Sequence, residues 1–101
     1  LVKNNFKIVW TKPAQNQLKE IYKYISKESV QNAIKVINDL THAVENIVEH
    51  PEKHKADQYK KDNDGTYRAF EKHHFRVSYR NENQIIRVLR IRHTKMNPKK
   101  H

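Results

Sequence analysis

Four cationic or titratable side chains crowd the stretch IIRVLRIRHT, residues 85–94: Arg87, Arg90, Arg92 and His93. Arginine offers a planar fork to phosphate or carboxylate, and imidazole exchanges protons near neutral pH. On a rigid strand the two suit cleavage of RNA, which carries its own nucleophile in the 2′-hydroxyl. Such cleavage needs a base for that hydroxyl, positive charge on the crowded phosphate and an acid for the leaving 5′-oxygen. It needs no metal and no cofactor. Arg68 in TYRAFEK, Arg76 and Arg80 in HFRVSYR, and Lys60 and Lys61 just upstream extend the set. Each residue also has an ordinary reading: a histidine ending a strand, arginines in surface ion pairs, solvated lysines, and Asp57 as a plain loop acid.

The whole chain is basic, with net charge +10 from 21 basic and 11 acidic residues. Residues 1–50 carry seven lysines against five acids; residues 51–101 carry 14 basic residues, including every arginine, against six acids. A polyanion, an acidic protein or both are the expected partners. Lysine alone would serve solubility, so the clustering of arginine asks for phosphate or carboxylate groups on the partner. Cysteine is absent, which excludes disulfides and thiolate metal sites and suits a reducing, cytoplasmic setting. No apolar run reaches the ~20 residues of a membrane span, and no signal-peptide pattern opens the chain. At 101 residues the chain is expected to form one domain, with about 95–101 as a basic C-terminal tail.

The elements that must position these residues follow from periodicity. NFKIVW, residues 5–10, alternates as a strand with Phe6, Ile8 and Trp10 on one face. Thr11 caps a helix with Pro13 in its first turn, running to about Ser26. Ser29 caps a second helix, whose apolar stripe is Val30, Ala33, Ile34, Ile37, Leu40, Val44, Ile47 and Val48; Pro51 ends it near His50. The short SKES connection makes the pair an antiparallel hairpin. Residues 52–65 form a polar loop. Then TYRAFEK (66–72), HFRVSYR (74–80) and QIIRVLRIR (84–92) read as three strands, joined at 73–74 and 81–83. The order β-α-α-β-β-β predicts an α+β domain, the helical hairpin covering one face of a small antiparallel meander.

On the third strand Phe75, Val77 and Tyr79 point to the helices and Arg76 and Arg80 to the open face. The last strand splits into Ile85, Arg87, Leu89, Ile91, His93 and Ile86, Val88, Arg90, Arg92, Thr94, neither set fully apolar. We expect Leu89 and Ile91 inward and Arg90 and Arg92 outward, with a bulge before His93 as the device that would reverse its side. Tyr67, Phe75 and Tyr79 are expected in the packing, which leaves few aromatics for stacking on nucleic acid.

The arrangement WTKPAQNQLKEIYKYISKES, a second amphipathic helix ending at HP, then GTYRAF, FRVSY and VLRIRHTKMNP, resembles the RelE/ParE superfamily of bacterial toxins over roughly residues 5–98. The resemblance implies a toxin of a type II toxin–antitoxin pair, held inactive by a cognate acidic antitoxin. RelE- and YoeB-like members cut mRNA on the ribosome; ParE-like members bind DNA gyrase. Aligned with the YoeB type, Asp57, Lys60, Arg76 and His93 take the functional positions, the acid and histidine handling protons and the arginine contacting phosphate. Arg68 and Arg76 match basic positions of the RelE type. Thr94 stands where the YoeB type has tyrosine, Phe70 replaces another basic residue, and TKMNPKKH lacks the late tyrosine of the RelE type. The helical hairpin, with Leu18, Ile21, Tyr24, Ala33 and Leu40, is more similar to ParE. The sequence thus supports a metal-independent, ribosome-dependent mRNA endonuclease with Arg76, His93, Arg68 and Asp57 catalytic and Lys60, Lys61, Arg80, Arg90 and Arg92 on phosphate. The alternatives are a gyrase inhibitor acting by protein binding and, last, an RNA-binding module without chemistry.

Overall fold

The computed structural model describes residues 6–50 and 53–95. The order is β1 (Lys7–Trp10), α1 (Lys12–Ser26), α2 (Val30–Ile47), β2 (Tyr67–Lys72), β3 (Phe75–Glu82) and β4 (Ile85–His93). The last three strands form the expected antiparallel meander, and β1 adds in parallel to β4, giving the sheet order β1-β4-β3-β2. A parallel neighbour requires a crossover, and the helical hairpin between β1 and β2 provides it. The expected basic tail, residues 95–101, lies outside the described residues beyond Lys95.

Both helix starts follow from their caps. The Thr11 hydroxyl accepts from the Ala14 N–H (3.3 Å) and the Ser29 hydroxyl from the Asn32 N–H (3.0 Å). Helix α2 ends at Ile47, a turn before the expected His50. Its buried stripe is Ala33, Val36, Leu40, Val44 and Ile47, whereas Val30 and Ile34 are exposed. The helices bury Val36, Leu40, Val44 and Ile47, with Ala14 and Ile21, against Phe70, Val77, Tyr79, Ile86, Val88 and Ile91 of the sheet. Phe6, Ile8, Trp10 and Phe75 pack around that core.

The two hairpin turns contain no glycine. His73 and His74, and Asn83 and Gln84, all have positive φ, between 53° and 66°, as two-residue type I′ turns require. The second connection is therefore Asn83–Gln84, not 81–83: Asn81 and Glu82 still pair with Ile86 and Ile85.

The register of β3 against β4 shifts once, between Ser78 and Tyr79: Ser78 faces Arg90 and Tyr79 faces Val88. Leu89 is the extra residue of a β-bulge. The bulge reverses the alternation. Ile86 and Val88 are buried before it and Ile91 after it, so the mixed pattern of this strand resolves into one apolar inner set. Leu89, expected inward, instead lines the open face beside Arg90 and Arg92. Helix α1 secures this irregular segment, because β1 ends at Trp10 and leaves the β4 edge without a strand partner. The Thr11 hydroxyl donates to the Leu89 carbonyl (3.0 Å), and the Ile91 N–H donates to Gln17 Oε1 (2.6 Å). Side chains thus satisfy backbone groups that the ladder no longer serves.

Candidate functional site

The open face of the sheet carries the outward residues of three strands and the loop preceding them. Asp57 joins that loop to the edge strand: its N–H donates to the Tyr67 carbonyl (2.8 Å), and Ala56 bridges Arg68. Asn63 reinforces the join, its side-chain amide donating to the Asp57 and Tyr67 carbonyls. Asn63 Oδ1 in turn accepts from Gly65, whose φ of 94° suits glycine.

The result is a cleft of about 330 Å³ lined by Asp57, Tyr59, Lys60, Tyr67, Arg76, Ser78, Leu89, Arg90 and Arg92. At its centre Arg76 Nη2 donates to Asp57 Oδ1 at 2.7 Å, with the side chains only 16% and 12% exposed. The same carboxylate oxygen accepts from the Tyr59 N–H (2.9 Å), and the Arg76 guanidinium lies 4.7 Å from the Tyr59 ring centre. Glu71 stands at 3.8 Å on the other side of Arg76. Lys60 Nζ and the Arg80 guanidinium each lie 4.6 Å from the Tyr67 ring centre, a distance at which a cation is attracted to the ring. Arg80 is further held by Thr66 Oγ1 (3.0 Å), Glu82 (3.1 Å) and Asp64 (3.7 Å). The Asp64 carboxyl titrates below its usual range, chiefly because the Thr66 hydroxyl and N–H bond to its charged form. Burial lowers the Arg92 pKa, and the neighbouring Arg90 charge adds to that.

Several expected residues are elsewhere. Arg68 lies opposite buried Tyr79, on the same set of β2 as buried Phe70, and so on the helix-facing side. Its Nη1 donates to the His54 carbonyl at 2.6 Å, while the His54 ring stacks on Phe70 at 4.8 Å. Arg68 therefore clamps the loop to the sheet. Burial, and then Lys53, lowers the His54 pKa. His93 pairs with Phe75, their rings 5.4 Å apart edge to face, with His74 at 6.4 Å. Its Nδ1 accepts from the Lys95 N–H (3.2 Å). After the bulge it follows Ile91 on the inner set, and among the described residues no histidine lines the cleft. Lys61 is exposed on the loop, outside the cleft lining.

The sequence reading missed Tyr67 and Tyr59. Tyr67 belongs with Ala69 and Glu71, opposite in parity to buried Phe70, so the strand pattern carried that signal. Tyr59 depends on the loop path and had none. Chemically, the cleft can hold an anion on Arg76, Arg90 and Arg92 and can stack a flat group near Tyr59. Among the described residues that line it, the one carboxylate, Asp57, is engaged by Arg76. Among the described residues no group of three or more metal-ligating side chains gathers.

A second surface lies on the helices. Leu18, Lys19, Tyr22, Lys23 and Ile37 line an almost wholly apolar groove of about 330 Å³. Exposed Val30 and Ile34 continue the apolar surface along α2. Both belong to the apolar stripe expected of the second helix, yet they stand outside the buried core.

The strand–hairpin–meander with its arginine-lined sheet face is the arrangement of a RelE/ParE-type toxin. The family description "ParE toxin of type II toxin-antitoxin system, parDE" matches residues 8–98, and the chain belongs to that family. No curated protein matches the chain. Among solved structures, the chromosomal ParDE toxin–antitoxin system from P. aeruginosa superposes with TM-score 0.73 at 20% identity, covering 92% of this chain and 100% of that one. The RelBE2 toxin–antitoxin complex from Mycobacterium tuberculosis superposes with TM-score 0.53 at 16% identity, covering 87% and 96%. These identities speak to fold alone. No described helix is long and apolar enough to cross a membrane.

Proposed function

We propose that this toxin arrests growth by binding a protein target, DNA gyrase, and not by cutting RNA. The observation that carries this reading is the separation of His93 from Arg76. A nuclease needs a free proton-moving group beside the arginine that holds the phosphate, and the carboxylate there, Asp57, is bound to Arg76 itself. Here His93 sits against Phe75 on the inner set, and Arg68 is committed to the His54 carbonyl. The ParE family match over residues 8–98 supports the same reading. So does the apolar groove on the helical hairpin, a surface fitted to an amphipathic protein segment.

The cognate antitoxin is proposed to be acidic. Its disordered segment orders on the toxin and neutralises lysine and arginine as it wraps. Such a toxin acts in the cytoplasm. Ribosome-dependent mRNA cleavage is the second reading, favoured by one feature: Arg76, Arg90 and Arg92 converge on a single cleft with Asp57. Expression in cells separates the two. Relaxed plasmids with intact mRNA support gyrase as target; unchanged plasmid topology with new mRNA ends at ribosomal A-site codons supports cleavage.

A further inference from the structure

The open face contains like charges placed directly opposite one another. Arg80 faces Arg87, and Arg76 faces Arg92, across the β3–β4 ladder. Directly opposed residues share a face at Cβ separations of roughly 5 Å, where like charges destabilise a sheet. Carboxylates relieve part of this: Asp57 and Glu71 on Arg76, and Asp64 and Glu82 on Arg80. Among the described residues, none forms an ion pair with Arg87 or with exposed Arg90. The bulge increases the crowding, because its extra residue brings Arg87, which precedes it, onto the same face as Arg90 and Arg92, which follow it. A surface kept in this state at a cost to the free fold is matched to an external anion.

From this pattern we infer that the open face is a docking surface for the backbone of single-stranded DNA. The arginines run along two adjacent strands, so the charge forms a track and not a single pocket. Arg76 and Arg80 are four residues apart, about 13 Å at strand rise, and Arg87, Arg90 and Arg92 run alongside them. Aromatic rings lie within that track. Tyr59 is held by the Arg76 guanidinium yet is 47% exposed, which leaves ring surface for a base to stack on. A cationic groove interleaved with aromatic platforms is the recognition mode of single strands. An acidic peptide would satisfy the charges but would make no use of the platform. The choice of DNA over RNA rests on the proposed gyrase target, whose substrate is DNA.

The test is fluorescence anisotropy of the purified toxin with a short labelled single-stranded oligodeoxynucleotide over a salt series. Three to five phosphate contacts predict a log–log salt slope of roughly −2 to −4. Arg87→Glu and Arg90→Glu each lower affinity by about tenfold or more and flatten the slope. The double variant Lys19→Glu/Lys23→Glu, with twice the charge change but on the helices, stays within about twofold of the parent. Should Arg87→Glu fail to fold by circular dichroism, Arg87→Gln and Arg90→Gln are expected to show the same ordering with smaller losses. Equal losses from the helix variant, absence of binding at low salt, or equal or tighter binding of duplex, of an RNA oligonucleotide or of a poly-glutamate peptide would each overturn the inference. Gyrase supercoiling is measured separately on the same variants. DNA affinity alone decides the surface, and supercoiling alone decides the target.

Discussion

Arg76 and His93 stand on neighbouring strands, yet their side chains leave the sheet on opposite faces. Arg76 enters the cleft and pairs with Asp57 at 2.7 Å, while His93 pairs with Phe75 and turns with Ile91 toward the helix side. The bulge at Leu89 produces that separation, since a single extra residue inverts every position beyond it.

A toxin that works by protein binding has no use for His93 as a proton carrier. His93→Ala is therefore expected to keep growth-arresting activity within about threefold at equal protein level, well short of the ~10² loss that removing a general acid or base typically brings. Growth curves after induced expression check this, with immunoblots to equalise dose.

Asp57 holds Arg76 while both are mostly buried, so removing one partner leaves the other desolvated and unpaired. Asp57→Ala is expected to destabilise the fold by about 1–3 kcal/mol. Adding Arg76→Ala to that variant should cost less than Arg76→Ala alone, because the two share one interaction. Urea midpoints of the four proteins in this cycle give the coupling; additive losses would contradict it.

The bulge depends on a side chain from a different element. Gln17→Ala leaves the Ile91 N–H without the amide oxygen that now accepts from it at 2.6 Å. The expected loss is about 1–2 kcal/mol, with faster amide hydrogen exchange at Ile91 than in the parent. A protein equally stable and equally protected at Ile91 would show that β4 holds its shape without α1.

The turn at His73 is tied to helix α2 by Asp39, Oδ2 lying 2.6 Å from His73 Nε2. The hydrogen bond from His73 first, and that from Lys35 second, lower the Asp39 carboxyl from 3.8 to about 2. A carboxyl depressed on folding stabilises the native state fully above its unfolded pKa and loses that contribution as pH falls toward its folded value. The contribution is thus complete above about pH 4–5 and fades as pH falls through about 2. His73→Ala removes the larger cause, so its acid unfolding midpoint should lie higher than the parent's. Circular dichroism across pH 2–5 reads the shift, and coincident curves would sink the idea.

Much of the fold was legible because each element obeys one strong local rule. Thr11 and Ser29 marked the helix starts, and the alternation of HFRVSYR placed Arg76 and Arg80 on the open face. The last strand was harder. Its two parity sets each mixed isoleucine with arginine, and that mixture was itself the trace of a bulge, the buried run switching phase between Val88 and Ile91. Without the position of the extra residue, Leu89 could not be placed. Arg68 could have been read from Phe70, two residues on and fully committed to the core. The loop from Lys53 to Thr66 could not be read. Its path depends on backbone pairing with Tyr67 and on the Asn63 amide, neither of which has a periodic signature. The helix groove escaped for another reason: Val30 and Ile34 extend the apolar stripe around α2 beyond what the sheet covers.

The proposed target of this toxin is a protein that controls DNA topology. Its most direct test is a supercoiling assay with purified gyrase, relaxed plasmid and folded toxin, run with and without the antitoxin. Dose-dependent loss of supercoiling, reversed by antitoxin and weakened by Tyr22→Glu in the helix groove, is the predicted result. Undiminished supercoiling by gyrase at saturating, antitoxin-competent toxin would contradict it.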